Sequence, residues 1–148
     1  MDILVKCYMN CLHKYVVFSG RSSRQEYAIF NILNMVISFL LSFIPILNIT
    51  LGPIFSLAML LPTIAVAVRR LHDLNQTGWL IIVPYVLTFI SGLLVTIDIL
   101  SGLPLSTSSM LFLTLTGLVS LGMGIWMLFF KGTRGLNKFG DDPIRKMN

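Results

Sequence analysis

Along the chain, residues 27–68, 74–97 and 99–130 carry no formal charge and are mostly apolar, in runs of 42, 24 and 32 residues separated by short charged stretches. One membrane crossing needs about 20 such residues. The first run would make about 63 Å of helix, two passes of a hydrocarbon core about 30 Å thick. Pro45, Asn48, Gly52 and Pro53 mark the turn between those passes, which predicts helices over 24–47 and 53–70. From Trp79 to Phe130 a helical path would cover about 78 Å, enough for two more passes. Gly102, Pro104 and the run Ser106-Thr107-Ser108-Ser109 supply a loop there, which predicts helices over 79–99 and 110–130. Ahead of all four, Ile3, Leu4, Cys7, Tyr8, Cys11, Leu12 and Tyr15 recur at helical spacing opposite Asp2, Lys6, Asn10, His13 and Lys14. That pattern predicts an amphipathic interfacial helix within residues 1–18. The expected fold is an all-α membrane protein of one domain: an interfacial helix, four transmembrane helices and a tail over 131–148.

Composition agrees with this pattern and excludes a free soluble enzyme: 55% of the residues are hydrophobic and 11% charged, where soluble domains carry about 25% charged. Charge then sets the orientation. Lys6, Lys14, Arg21 and Arg24 precede the first membrane helix, Arg69 and Arg70 end the second, and Lys131, Arg134, Lys138, Arg145 and Lys146 follow the fourth. The opposite loops hold no Lys or Arg, so both termini are expected to be cytoplasmic. The basic balance, with a pI near 9.6, is thereby explained by topology and attraction to anionic headgroups, without nucleic acid. Residues 1–26 lack the apolar core of a signal peptide, and none is expected.

Three polar stretches carry the candidate chemistry. Ser23 and Glu26 have the spacing of a capping box. Arg21 and Arg24 beside it oppose the positive end of the helix dipole, so an anion is expected there: a lipid phosphate, a carboxylate of another segment or a ligand. In Arg69-Arg70-Leu71-His72-Asp73, helical spacing puts Arg69, His72 and Asp73 on one face, and Asp73 can pair with either arginine. His72 beside Asp73 is raw material for general-base chemistry, but no nucleophile motif accompanies it. The third stretch, Lys131 to Pro143, is rich in glycine and charge and lacks the Gly-Lys-Ser/Thr ending of a phosphate-binding loop. Cys7 and Cys11 share a helix face, but His13 points away and a fourth ligand is missing, so neither metal nor cofactor is expected. On the cytoplasmic side these thiols should act as small apolar residues.

Phe18-Ser19-Gly20-Arg21-Ser22-Ser23-Arg24-Gln25-Glu26-Tyr27, Arg69-Arg70-Leu71-His72-Asp73 ahead of Gly78-Trp79, and Gly132-Thr133 with Asn137-Lys138-Phe139-Gly140-Asp141-Asp142-Pro143 resemble, in order, the YhaH/YhaI-like bacterial inner-membrane proteins. That family is catalogued as a domain of unknown function, and the resemblance covers about residues 1–144. Ala28 stands where the family usually has an aromatic, and Leu80 where it has a second tryptophan. Both departures soften interfacial anchoring and leave the charged set intact. The resemblance implies a bacterial cytoplasmic membrane and lends no activity.

On the predicted topology all three motifs lie at helix ends on the cytoplasmic face. They define one expected polar cluster of Arg21, Arg24, Glu26, Arg69, Arg70, His72, Asp73, Asn137 and Asp141. Two accounts fit it: a salt-bridged plug that fixes the helix ends, or a site for a lipid headgroup or small anion. A small transporter or channel subunit is the alternative, though no charge lies deep in a predicted helix. A lipid-modifying enzyme using His72 and Asp73 is another. Gly117, Ser120 and Gly124 form a small-residue seam suited to close helix packing, within the chain or in a homo-oligomer. The topology has a direct test. A membrane-impermeant thiol reagent outside intact cells should label a cysteine placed at Ser108 and leave Cys7 and Cys11 unlabelled; labelling of the native pair reverses the orientation.

Overall fold

The computed structural model describes residues 3–102 and 104–143, apart from the side chains of 45–48. Asp2, Arg145 and Lys146, used in the charge argument, lie outside the described residues. Five α-helices follow one another: α1 (Ile3–His13), α2 (Arg24–Ser42), α3 (Pro45–Asp73), α4 (Ile82–Leu100) and α5 (Thr107–Phe129), with a 3-10 turn at Gly78–Ile81 leading into α4. No strand forms among the described residues beyond one bridge between Asn137 and Gly140. Among the described residues, three stretches are long and apolar enough to cross a membrane: Ile49–Asp73, Gly78–Leu100 and Thr107–Phe129. The chain divides into two compact units, one of residues up to Gly78 together with those from Phe130 onward, the other Trp79–Phe129.

In the first unit α2 and α3 form a hairpin, and the turn differs from the expected one. Only Phe43 and Ile44 separate the helices, and α3 runs unbroken from Pro45 through Pro53 and Pro62. Proline within a helix leaves the carbonyl four residues earlier without its donor. For Pro62 that carbonyl is Ala58, and the Tyr15 hydroxyl, from the segment after α1, donates to it. The helix therefore continues because another segment satisfies the freed group, as prolines in membrane helices require. The first turn of α2 holds Arg24, Gln25 and Glu26, and Asn31 and Asn34 interrupt its apolar run, so it is less apolar than the three candidate spans. Each asparagine turns its amide back onto its own helix, to the Tyr27 and Phe30 carbonyls at 2.8 and 3.0 Å.

The apolar stripe of α1 does not all face away from the protein. Cys7 and Cys11 are buried, and the Tyr8 ring stacks on Phe30 of α2 with centroids 5.3 Å apart. Tyr8 also donates to Asn34 at 3.2 Å. Ile3, Leu4, Val5 and Met9 remain exposed.

In the second unit, α4 and α5 are closed by their loop. Asp98 accepts from the Ser106 amide at 2.8 Å, the Ser106 hydroxyl at 3.0 Å and the Ser109 hydroxyl at 2.5 Å. Ser106 in turn accepts the Ser109 amide at 3.3 Å, an N-cap for α5. Further along, buried Ser91 and Thr116 meet at 3.5 Å. The Gly117–Ser120–Gly124 seam does not supply this packing: a Cβ at Gly117 or Gly124 would meet nothing within 4 Å.

Close packing by glycine occurs instead at Gly78, where a Cβ would stand 2.6 Å from Val68 Cγ1 and 3.2 Å from His72 Nε2. Gly78→Ala is therefore expected to lower stability by about 1–3 kcal/mol, read by thermal unfolding in detergent. The double variant with Val68→Ala should recover part of the loss. Additive losses in that cycle would overturn the contact.

Candidate functional site

The beginning of α2 and the end of α3 lie together because both ends are capped. Ser23 Oγ accepts the Glu26 amide at 3.2 Å, the first half of a capping box. The second half is not made: Glu26 Oε1 accepts instead from Asn10 Nδ2 at 2.9 Å and Cys11 Sγ at 3.5 Å. Helix α3 stops in a Schellman motif, with the Gln76 amide on the Leu71 carbonyl at 2.9 Å and the Asn75 amide on His72 at 3.0 Å. Asn75 takes the left-handed conformation at φ +59° that this motif needs, and asparagine is the side chain after glycine that best tolerates it. The Ser22 amide then bonds the Arg69 carbonyl at 3.0 Å, joining the two ends.

Three arginines and two carboxylates are buried here among the described residues: Arg21, Arg69 and Arg70 against Glu26 and Asp73. Asp73 takes two of the cations. Arg21 donates through Nε at 3.0 Å and Nη2 at 2.8 Å to Oδ1, while Arg70 pairs with Oδ2. The remaining guanidinium hydrogens go to backbone carbonyls of the C-terminal loop: Arg21 to Thr133, to Gly135 at 2.6 Å and to Gly140 at 3.2 Å, and Arg70 to Phe130 at 2.6 Å. The Thr133 amide returns a bond to the Asp73 carbonyl at 2.8 Å. Gly132 lies so close that any Cβ would collide with the Asp73 carboxylate.

The expected single cluster is thus two sets. Arg69 does not share Asp73; it lies 3.8 Å from Glu26 and donates to the carbonyls of Lys14 and Val17. His72 and Asp73 do not form a base pair either, because Asp73 is held by arginines. The His72 Nδ1 donates to the Gly20 carbonyl at 3.1 Å, and its ring stacks on Phe139 at 3.9 Å. Asn137 serves as a loop fastener, donating to the His72 carbonyl at 2.9 Å and accepting the Phe139 amide at 2.9 Å. Burial first, then the Glu26 carboxylate, raises the Cys7 and Cys11 thiols above the ordinary thiol range. Both stay protonated at neutral pH.

Two cavities open on these sets. One of about 490 Å3 is lined by Lys14, Arg21, Glu26, Arg69 and Asp141 among others. The second, about 280 Å3, is lined by Arg24, Arg70, Lys131 and Arg134 with Asp73 and Asp142. Lys131, Arg134 and Asp142, not among the residues of the expected cluster, line this second cavity. Their signal in the sequence is the Gly132 and Gly135 spacing, which lets the loop turn back.

Residues 15–141 match the family described as Protein of unknown function (DUF805), and the chain belongs to it. It is 30% identical to the inner membrane protein YhaI of Escherichia coli (strain K12) over 145 residues, 92% of this chain and 93% of that protein. With inner membrane protein YhaH of the same organism it shares 32% identity over 93 residues, 53% of this chain and 74% of that protein. No solved structure gives a significant match. These relatives and the apolar helices support a location in the bacterial inner membrane.

Removing one partner of a buried ion pair leaves an uncompensated charge, which costs about 3–5 kcal/mol. Asp73→Asn is expected to destabilise by that amount, measured by thermal unfolding in detergent, whereas Lys138→Ala on the exposed loop should change little. Equal melting of the two variants would remove Asp73 from its central place.

Proposed function

We propose that this chain is a four-span inner membrane protein, both termini cytoplasmic, that holds an anionic lipid headgroup or phosphate-like anion in the cavity of Arg24, Arg70, Lys131 and Arg134. One observation carries the reading. Four cations line that cavity against Asp73 and Asp142, and Asp73 is already bound by Arg21 and Arg70. Like charges gathered around one space repel, and an anion among them relieves that repulsion; arginine presents paired donors suited to phosphate oxygens.

Support for α2 as the fourth span comes from its surface. Ile32, Met35, Val36, Phe39, Leu40 and Phe43 are exposed, at helical spacing along a face about 17 Å long, on a helix about 28 Å long with its polar first turn. Orientation rests on the concentration of Lys and Arg near the ends where α2 begins and α3 stops. The alternatives have less behind them. For a transporter, the charged side chain in α4 is Asp98, and its carboxylate is engaged by Ser106 and Ser109. For a lipid-modifying enzyme, His72 lacks the carboxylate partner that would make it a base.

The test uses the full-length protein in nanodiscs of defined composition. Arg24→Ala and Arg134→Ala should each weaken retention of phosphatidylglycerol roughly fivefold, about 1 kcal/mol per surface cation, with a loss that shrinks as salt screens the charge. Lys138→Ala, outside the cavity, should not. Arg70→Ala is unsuitable because Arg70 also holds Asp73. Unchanged retention in the Arg24→Ala/Arg134→Ala double variant reduces the cluster to a structural plug. Burial silences Cys7 and Cys11 toward thiol reagents, so the internal reporter of topology is a cysteine at exposed Lys138, expected to react only after the membrane is opened.

A further inference from the structure

The larger cavity, beside the end of α1, has a different chemistry. Arg69 is 1% exposed, and its Nη1 is taken by the Lys14 and Val17 carbonyls. Its Nε and Nη2 have no hydrogen-bond acceptor among the described residues. Glu26 Oε1, at 3.8 Å from Nη2, is too far to be one. The Nε–Nη2 edge is the side of a guanidinium that grips two oxygens of one phosphate or carboxylate at once. A buried donor left unmade costs free energy, and here two atoms of the same edge are unmade in a residue that lines a cavity of about 490 Å3. One water needs roughly 15 Å3. The space admits far more than one water.

The rest of the wall narrows the class. Lys14, Arg21 and Arg69 stand against Glu26 and Asp141, and the Arg21 charge is directed to Asp73. A simple anion on Arg69 would face Glu26 and Asp141; a simple cation on those carboxylates would face Arg69 and Lys14. A molecule carrying both signs satisfies both ends. From this geometry we propose a second site, independent of the anion cavity, for a zwitterion joining a phosphate to a primary ammonium: the phosphate oxygens on Arg69 Nε and Nη2, the ammonium on Glu26 and Asp141. The ammonium must carry hydrogens, because carboxylates accept them and a quaternary amine offers none.

Full-length protein in mild detergent, exchanged against equal mole fractions of phosphatidylethanolamine, phosphatidylcholine and phosphatidylglycerol, gives the readout by native mass spectrometry. Wild type should retain phosphatidylethanolamine over phosphatidylcholine by at least about tenfold, the scale of one charged hydrogen bond. Asp141→Asn, in the exposed loop, should reduce that preference, and Glu26→Gln with Asp141→Asn should abolish it. Arg24→Ala/Arg134→Ala should leave it intact while losing phosphatidylglycerol, so the two sites fail separately. Displacement by soluble phosphoethanolamine assigns the ligand to a free zwitterion, and resistance to it assigns the ligand to a lipid. Equal retention of the ethanolamine and choline lipids by wild type overturns the proposal, as does a preference untouched in Asp141→Asn.

Discussion

Two buried guanidiniums close on the single carboxylate of Asp73, and the first unit is organised by what that arrangement leaves over. Asp73 can oppose two charges but cannot accept all the hydrogens that Arg21 and Arg70 carry. The surplus is taken by the carbonyls of Phe130, Thr133, Gly135 and Gly140. A loop far away in sequence is thereby shaped around an ion pair, with glycine at 132 because no side chain clears the carboxylate. Such a set stabilises little in net terms, since desolvation offsets most of the Coulomb attraction. Its effect is local: the loop follows a path along which the Arg21 donors are met.

The same reasoning accounts for the two cavities. Of the three buried arginines, Arg21 and Arg70 share Asp73, and Arg69 has only a long ion pair with Glu26 and two carbonyls. Both carboxylates are therefore committed before the more exposed Arg24, Lys131 and Arg134 are counted. An excess of cation at the ends of membrane helices is ordinary, because topology selects for it. Here it is gathered around two half-open cavities.

The helices were legible in the sequence wherever charge-free runs were long, and the motifs that meet at the α2 and α3 ends were found as polar stretches. The failures have identifiable causes. Pro45 to Pro53 reads as a turn because proline normally breaks a helix, and α3 runs through both; at Pro62 the compensating Tyr15 hydroxyl lies 43 residues from Ala58 in sequence. Asn75 marks the end of α3, but its meaning depends on the left-handed conformation. Spacing placed Arg69 and Asp73 on one face and gave no reason for the division between Glu26 and Asp73, which follows from α1 docking beside Glu26 through Asn10 and Cys11. The small-residue seam of α5 illustrates the converse: the pattern is present and the packing within its unit is not.

The two units also differ in what their polar groups do. In the second, the Asp98 carboxylate, Ser106, Ser109, Ser91 and Thr116 are engaged with one another, closing a loop and joining two apolar helices. A polar group satisfied inside its own hairpin lets the helix stand in lipid, because nothing is left for water to solvate. In the first, three arginines are buried where two carboxylates are buried with them, and Arg69 retains an unmet edge. Buried donors are unmet at a cost, and interiors generally avoid it. Arg69 keeps such an edge where α1, α2, α3 and the C-terminal loop meet, while the guanidinium hydrogens of Arg21 there are taken up.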